Sequence, residues 1–277
     1  MKKLMLAFDA EKPDLQSLEF GIYLARLTGS ALTGVFLEDL PLAPPAAKFA
    51  YGSVYAESIR TENPPELTYK ERIAEENIRK FKATCEAQGI SYLVHRDQDV
   101  PLDELVAESR YADVIISGPA LFATSPLETP AEMVKSLLNK AESPVIISPH
   151  RTYAIDKVLF AFDGSSSALF AIKQFTYLFP ELSGTDINVL QADEGAIFNE
   201  EEKEKIYEYL KVHYSRIDFT DLRGKPQDEL FDYCLRELNA ILVMGAYGRS
   251  WLSNLFRASA ADLVLKLNNL PVFITHR

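Results

Sequence analysis

Short apolar runs alternate along the whole chain with segments of helical spacing. In the second half, 157–162 (KVLFAF) is a continuous apolar run, and the segment after it places apolar residues at 168, 169, 172, 175, 178 and 179. That spacing marks one face of a helix. DINVLQAD then reads as a strand, EEEKEKIYEYLKVHY as a helix with a charged outer face, and SRIDFTDL as a short strand. QDELFDYCLREL reads as a helix, AILVMG as a strand, ASAADLVLKLN as a helix and LPVFITH as the last strand. Apolar strands without alternation, separated by amphipathic helices, predict a parallel sheet covered on both faces. Pro101 and Pro226 suit the first turn of a helix.

The pattern occurs twice. KKLMLAFD (2–9) matches DKVLFAFD (156–163), each an apolar run closed by Ala-Phe-Asp. PLDELVAESRYADVIISG (101–118) matches PQDELFDYCLRELNAILVMG (226–245), and KSLLNKAESPVIISP (135–149) matches LVLKLNNLPVFITHR (263–277). Matches in the same order at start, middle and end predict duplicated domains, 1–150 and 151–277, with the seam in SPHRTYAID (148–156). The first copy departs at 38–69, a segment with five prolines that reads either as a solvated loop or as a flap over a pocket or partner surface. The apolar runs SPVIISP and LPVFITH would leave uncovered edges, which predicts that the halves pair through them.

Composition narrows the function classes. The chain has 277 residues, 47% of them apolar and 25% charged, as in a soluble globular protein. Its net charge of −11 opposes non-specific contact with nucleic acid. No apolar run approaches the ~20 residues of a membrane span, and the N-terminus meets acid too early for a signal peptide. Cys85 and Cys234 suit a reducing cytoplasm and form no disulfide framework. The four histidines (95, 150, 213 and 276) lack metal-ligand spacing. No G-x-x-x-x-G-K-[S/T] occurs, so P-loop hydrolysis has no support, and DGSSSA stands where a dehydrogenase would carry G-x-G-x-x-G.

The candidate chemistry gathers at strand ends. Asp163, Gly164 and Ser165 follow the first strand of the second half, and in an open parallel sheet ligands bind beyond the carboxyl ends of strands. Asp163 could accept from an exocyclic amine or a ribose hydroxyl, or only cap the next helix. Gly245 and Gly248 could turn backbone N–H groups toward an anion or simply turn the chain. Ser259 stands at the start of the last helix, where free N–H groups suit phosphate, with Arg249 and Arg257 nearby.

These residues resemble the universal stress protein family over nearly the whole chain, as two tandem copies. The nucleotide-binding members carry G-x2-G-x9-G-[S/T]; here Gly245, Gly248, Ala258 and Ser259 fall on it, with Ala258 replacing the third glycine. GAYGRSWLSNLF looks like the family's Gly-His-Gly-Arg-Ser-Gly-Leu segment. The resemblance implies five-stranded α/β sandwiches of the adenine nucleotide alpha hydrolase-like type that pair through their last strands. It also implies a cytoplasmic stress-response protein that binds ATP, ADP or AMP in the second copy. Asp163 would meet adenine, Met244 would line the nucleoside, and Gly245, Gly248 and Ser259 would hold ribose and phosphates. The Ala258 methyl would crowd a phosphate oxygen, which weakens the site or limits it to a nucleoside or monophosphate. The first copy keeps Asp9 and Gly118 but has Leu121, Ala131 and Glu132 at the later positions, and a carboxylate there opposes phosphate. That copy is expected to be dead for nucleotides. The competing readings are a nucleotide-independent partner-binding or structural module and, third, a slow ATPase; a homodimer of the whole chain is left open.

Overall fold

The computed structural model describes residues 3–38, 65–97, 100–123, 132–192, 199–246 and 269–275. In the first half, strands β1 (Lys3–Asp9), β2 (Ala31–Leu37), β3 (Tyr92–Asp97), β4 (Val114–Ser117) and β5 (Val145–Ile147) alternate with helices. These are α1 (Leu15–Thr28), α2 (Pro65–Ala87), α3 (Pro101–Ser109) and α4 (Glu132–Lys140). The second half has β6 (Lys157–Phe162), α5 (Ser166–Leu178), β7 (Asp186–Ala192), α6 (Glu200–Leu210), β8 (Arg216–Leu222), α7 (Pro226–Arg236), β9 (Ala240–Gly245) and β10 (Val272–Thr275) in the same order, and the helix expected at ASAADLVLKLN lies outside the described residues. Two boundaries differ from the sequence reading by four residues or more. Helix α2 already begins at Pro65, inside the proline-bearing segment, whose residues 39–64 lie outside the described residues. Helix α6 stops at Leu210 rather than continuing to Tyr214. Val212 and His213 are weak helix formers, and the chain instead turns Tyr214 inward, 4% exposed, where its hydroxyl donates to Thr176 Oγ1 at 3.2 Å.

The strands form one ten-stranded sheet in the order β3-β2-β1-β4-β5-β10-β9-β6-β7-β8, so the second half mirrors the first about the centre. Every neighbouring pair is parallel except β5–β10, which is antiparallel with Val272 opposite Ile147, Phe273 opposite Ile146 and Ile274 opposite Val145. The two apolar edges therefore cover each other, and the halves share one mixed sheet instead of standing as two separate ones.

Alternate residues of each strand feed two apolar layers, because successive side chains point to opposite faces. On one face Leu6, Phe8, Phe160 and Phe162 pack with residues of α1, α2, α5 and α6. On the other, Met5, Ala7, Leu159 and Ala161 pack with residues of α3, α4 and α7. Both layers run across the β5–β10 seam: Ile146 and Phe273 belong to the first, Val145 and Ile274 to the second. Ile155 N–H donates to Tyr23 Oη at 2.8 Å, a further tie between the halves. Helix α1 is capped by Asp14, whose side chain accepts from Gln16 N–H, and ends at Gly29 in the left-handed region (φ 60°), which glycine enters without steric cost.

Candidate functional site

β1 and β6 are the strands at which the sheet order reverses: each pairs with the next strand in sequence on one side and with a later strand on the other. Crevices open at the carboxyl ends of such strands. Asp163 follows β6 at this point. Its Oδ1 accepts from Ser165 N–H at 3.0 Å, while its Oδ2 is buried and has no hydrogen-bond partner among the described residues. Gly164 follows at φ 73°, exposed, where a Cβ would meet only Glu202 Oε2 at 4.0 Å, so the chain turns there before Ser165 caps α5 by accepting from Ala168 N–H at 3.1 Å. Both roles weighed for this stretch coexist: Asp163 orders the turn with one oxygen, and Ser165 does the capping.

β9 lies beside β6 and ends in Met244 and Gly245. Met244 is 4% exposed and packs into the layer that holds α7. Gly245 abuts the start of α5: a Cβ there would stand 2.6 Å from the Ser167 carbonyl carbon and oxygen, so only glycine lets the strand end meet the helix. The structure thus brings Asp163, Gly164, Met244 and Gly245 to one edge. Gly248, Arg249, Arg257, Ala258 and Ser259 lie outside the described residues.

A groove of about 570 Å³ opens beside this edge between α5 and α6, with Phe162, Gly164, Ser165, Lys173, Lys205 and Tyr209 in its wall. Lys205 is held by Glu201. One residue at this edge escaped the sequence reading. Gln191, near the end of β7 and opposite Phe162 in register, is 6% exposed, and its Oε1 is buried without a partner among the described residues. Its signal was available: 187, 189 and 191 share a face, and Gln is out of place at the end of an inward row.

The first half fills the same plan differently. Asp9 Oδ1 accepts from Glu11 N–H at 2.9 Å and Lys12 N–H at 3.1 Å, and burial raises its pKa against those two bonds. A Cβ on Gly118 would meet side-chain oxygens, Asp14 Oδ2 at 2.7 Å and Ser17 Oγ at 2.9 Å. Ser17 Oγ donates to Asp14 Oδ2 at 2.6 Å and also bonds Ser148 Oγ at 2.7 Å, which closes this edge with internal hydrogen bonds. Leu121 is buried. Glu132 opens α4 and pairs with Lys135, so its charge is partly neutralised on the helix itself. Phe8 and Phe36 pack with ring centroids 5.0 Å apart and Phe81 edge-on to Phe36 at 5.6 Å, where the second half pairs Phe162 with Gln191, and the groove beside them is about 220 Å³. At the end of β2, Glu38 is 3% exposed and bonded by the Arg96 guanidinium.

Among the described residues no three His, Cys, Asp or Glu side chains are grouped to hold a metal, and no helix is long and apolar enough to cross a membrane. Cys85 and Cys234 are buried thiols whose pKa values rise to about 11 and about 12 because burial disfavours the thiolate.

No family model matches the chain. A curated relative, a universal stress protein of Synechocystis, is 31% identical over 171 residues, which are 58% of this chain and 56% of the relative. The chain thus spans little more than half the length of that relative. Among solved structures, a universal stress protein from Archaeoglobus fulgidus superposes with a TM-score of 0.69 at 17% identity, over 99% of this chain and 96% of that one. A putative universal stress protein from Pseudomonas aeruginosa superposes with a TM-score of 0.56 at 15% identity, over 100% and 93%. The chain therefore has a universal-stress-protein-like α/β fold with a mixed sheet.

Proposed function

We propose that this chain is a tandem stress-response protein whose second copy, 151–277, senses an adenine nucleotide, while its first copy, 1–150, has lost that capacity. The observation that carries the reading is the Asp163 carboxylate: one oxygen orders the β6–α5 turn, and the other is buried at the switch-point edge with no donor among the described residues. Buried acceptors are nearly always satisfied, and a donor-bearing ligand would supply the missing bond. Asp163 would take the base, Gly164 and Met244 its surroundings, and Gly245, Gly248 and Ser259 the ribose and phosphates, with the charge of Arg249 nearby. ATP, ADP and AMP are the candidates, with Ala258 disfavouring the longer phosphate chains.

A second reading, a nucleotide-independent partner-binding module, draws on Gly245. The tight fit of its α-carbon against Ser167 explains that glycine by packing alone. Titration calorimetry with ATP, ADP and AMP separates the two. The sensor reading expects one nucleotide bound per chain, abolished by Gly248→Asp, which adds bulk and negative charge at the anion-facing turn, and little changed by Glu132→Ser. No heat or displacement with any of the three nucleotides leaves the partner-binding module.

A further inference from the structure

The helix that follows the second strand differs sharply between the halves. α2 has 23 residues and α6 has 11, and both stop shortly before the next strand, Ala87 before Tyr92 and Leu210 before Arg216. The surplus therefore lies at the N-terminal end of α2. A helix between parallel strands runs back against them, so this end stands at the carboxyl edge of the first-half strands. At about 1.5 Å per residue the surplus is on the order of 18 Å long. The apolar anchoring of α2 does not reach it. Ala74, Phe81 and Cys85 are buried in the layer on β1 and β2, with Ile78 packed beside them, whereas none of the described side chains of α2 before Ala74 is buried.

Polar ties hold this end instead. Asn77 Nδ2 donates to Ala10 O at 2.9 Å and to Glu11 O at 3.3 Å, and Lys70 Nζ pairs with Glu11 Oε1 at 2.7 Å. Glu75 lies 4.0 Å from the Arg96 guanidinium, which also bonds Glu38. The loop that receives Asn77 and Lys70 is bound from within as well, since Glu11 and Lys12 N–H donate to Asp9 Oδ1. In the second half no hydrogen bond or ion pair joins α6 to 163–165 among the described residues, and Glu202 Oε2 stands 4.0 Å from the place of a Gly164 Cβ. Segments held by polar, partly exposed contacts with few buried apolar ones are those that open locally. We propose that the N-terminal part of α2 is an autoinhibitory clasp on the first-half edge: Asn77 and Lys70 pin the β1–α1 loop on the Asp9 carboxylate, and their release opens that loop as a local unit while the sheet stays folded. The clasp stands whether or not the second half takes a nucleotide.

Hydrogen–deuterium exchange of the full chain, resolved to single amides by NMR, tests this. Protection of the Glu11 and Lys12 amides should fall about fivefold in Asn77→Ala, the scale of one hydrogen bond. It should fall about twofold in Lys70→Met, the scale of one partly exposed ion pair. Amides of β1 and α1 should keep their wild-type protection in both variants. The Lys70 and Glu11 side chains are 34% and 30% exposed, so salt screens their pair. Salt at about 1 M should therefore reproduce the Lys70→Met loss in the wild type and add nothing in Lys70→Met. Lys70→Met carries the test alone should Asn77→Ala fail to fold. Unchanged protection of Glu11 and Lys12 overturns the clasp. An equal loss throughout β1 and α1 also overturns it, because that is general destabilisation and not local release.

Discussion

Opposite the strand that leads to each edge aspartate, the first half carries Phe36 and the second carries Gln191. The backbone plan around the two positions is shared: a parallel strand pair, a capped helix above, a second helix beside it. The side chains send the halves in opposite directions. In the first, aromatic rings fill the layer, Asp9 spends one oxygen on two backbone donors, and Ser17, Ser148 and Asp14 bond one another. In the second, Asp163 Oδ2 and Gln191 Oε1 are buried with no partner among the described residues, and the groove between α5 and α6 is more than twice as large. On the proposed reading, one backbone plan serves as a packed support in the first half and as a receptive edge in the second.

The contrast can be broken most severely by copying the second half into the first. Phe36→Gln removes a fully buried ring from the Phe8–Phe36–Phe81 stack and leaves an amide in its place, and it should destabilise the protein by about 3–5 kcal/mol in urea titration. A loss below about 1 kcal/mol would mean that the stack is not what closes this half. The two strand-end glycines come next. Gly245→Ala drives a methyl into the Ser167 backbone and should cost about 2–3 kcal/mol, the upper part of the usual range for overpacking. Gly118→Ala meets only side-chain atoms, the nearest being oxygens of Asp14 and Ser17 that can turn aside, and should cost about 1 kcal/mol. Equal losses would erase this difference between the edges.

Asp9 gives a smaller effect with a definite sign. Burial raises its pKa above the ordinary 3.8, so the folded state holds its proton more firmly than the unfolded chain. Stability contributed by that proton is present at low pH and is lost as pH rises through the window just above 3.8. Asp9→Asn stays neutral and keeps an oxygen for Glu11 and Lys12 N–H, so its melting temperature should gain on the wild type across that window and hold the gain to neutral pH. A gain at low pH instead would reverse the sign of the argument. Glu132→Ser should have the least effect on stability, since the Glu132–Lys135 pair is exposed and such pairs contribute little.

Much of this architecture is legible in the residues. The apolar runs at 157–162 and 240–245 are strands because nothing polar interrupts them, and both faces of the sheet are covered. The apolar edges at 145–147 and 272–275 pair for want of any other cover. Three features were not legible. The end of α6 at Leu210 depends on Tyr214 finding Thr176, a contact between elements far apart in sequence. The fit of Gly245 against Ser167 depends on where α5 begins in space, so the sequence offered only a turn or an anion nest. Gln191 reads as one polar residue in an apolar strand, and only the structure shows that it is buried with no partner for its oxygen among the described residues where the first half has Phe36. The place of Asp163 and Gly164 in the fold was legible, because a position after the first strand of the half falls at the reversal of strand order.

The assignment of the receptive edge to one half is tested most directly by photolabelling the full chain with an 8-azido-adenine nucleotide and mapping the modified peptides by mass spectrometry. Label confined to peptides of 151–277 near Asp163, Gln191 or Gly245, and suppressed by excess AMP, is the predicted result. AMP-suppressible label on first-half peptides around Asp9 or Gly118 would contradict it.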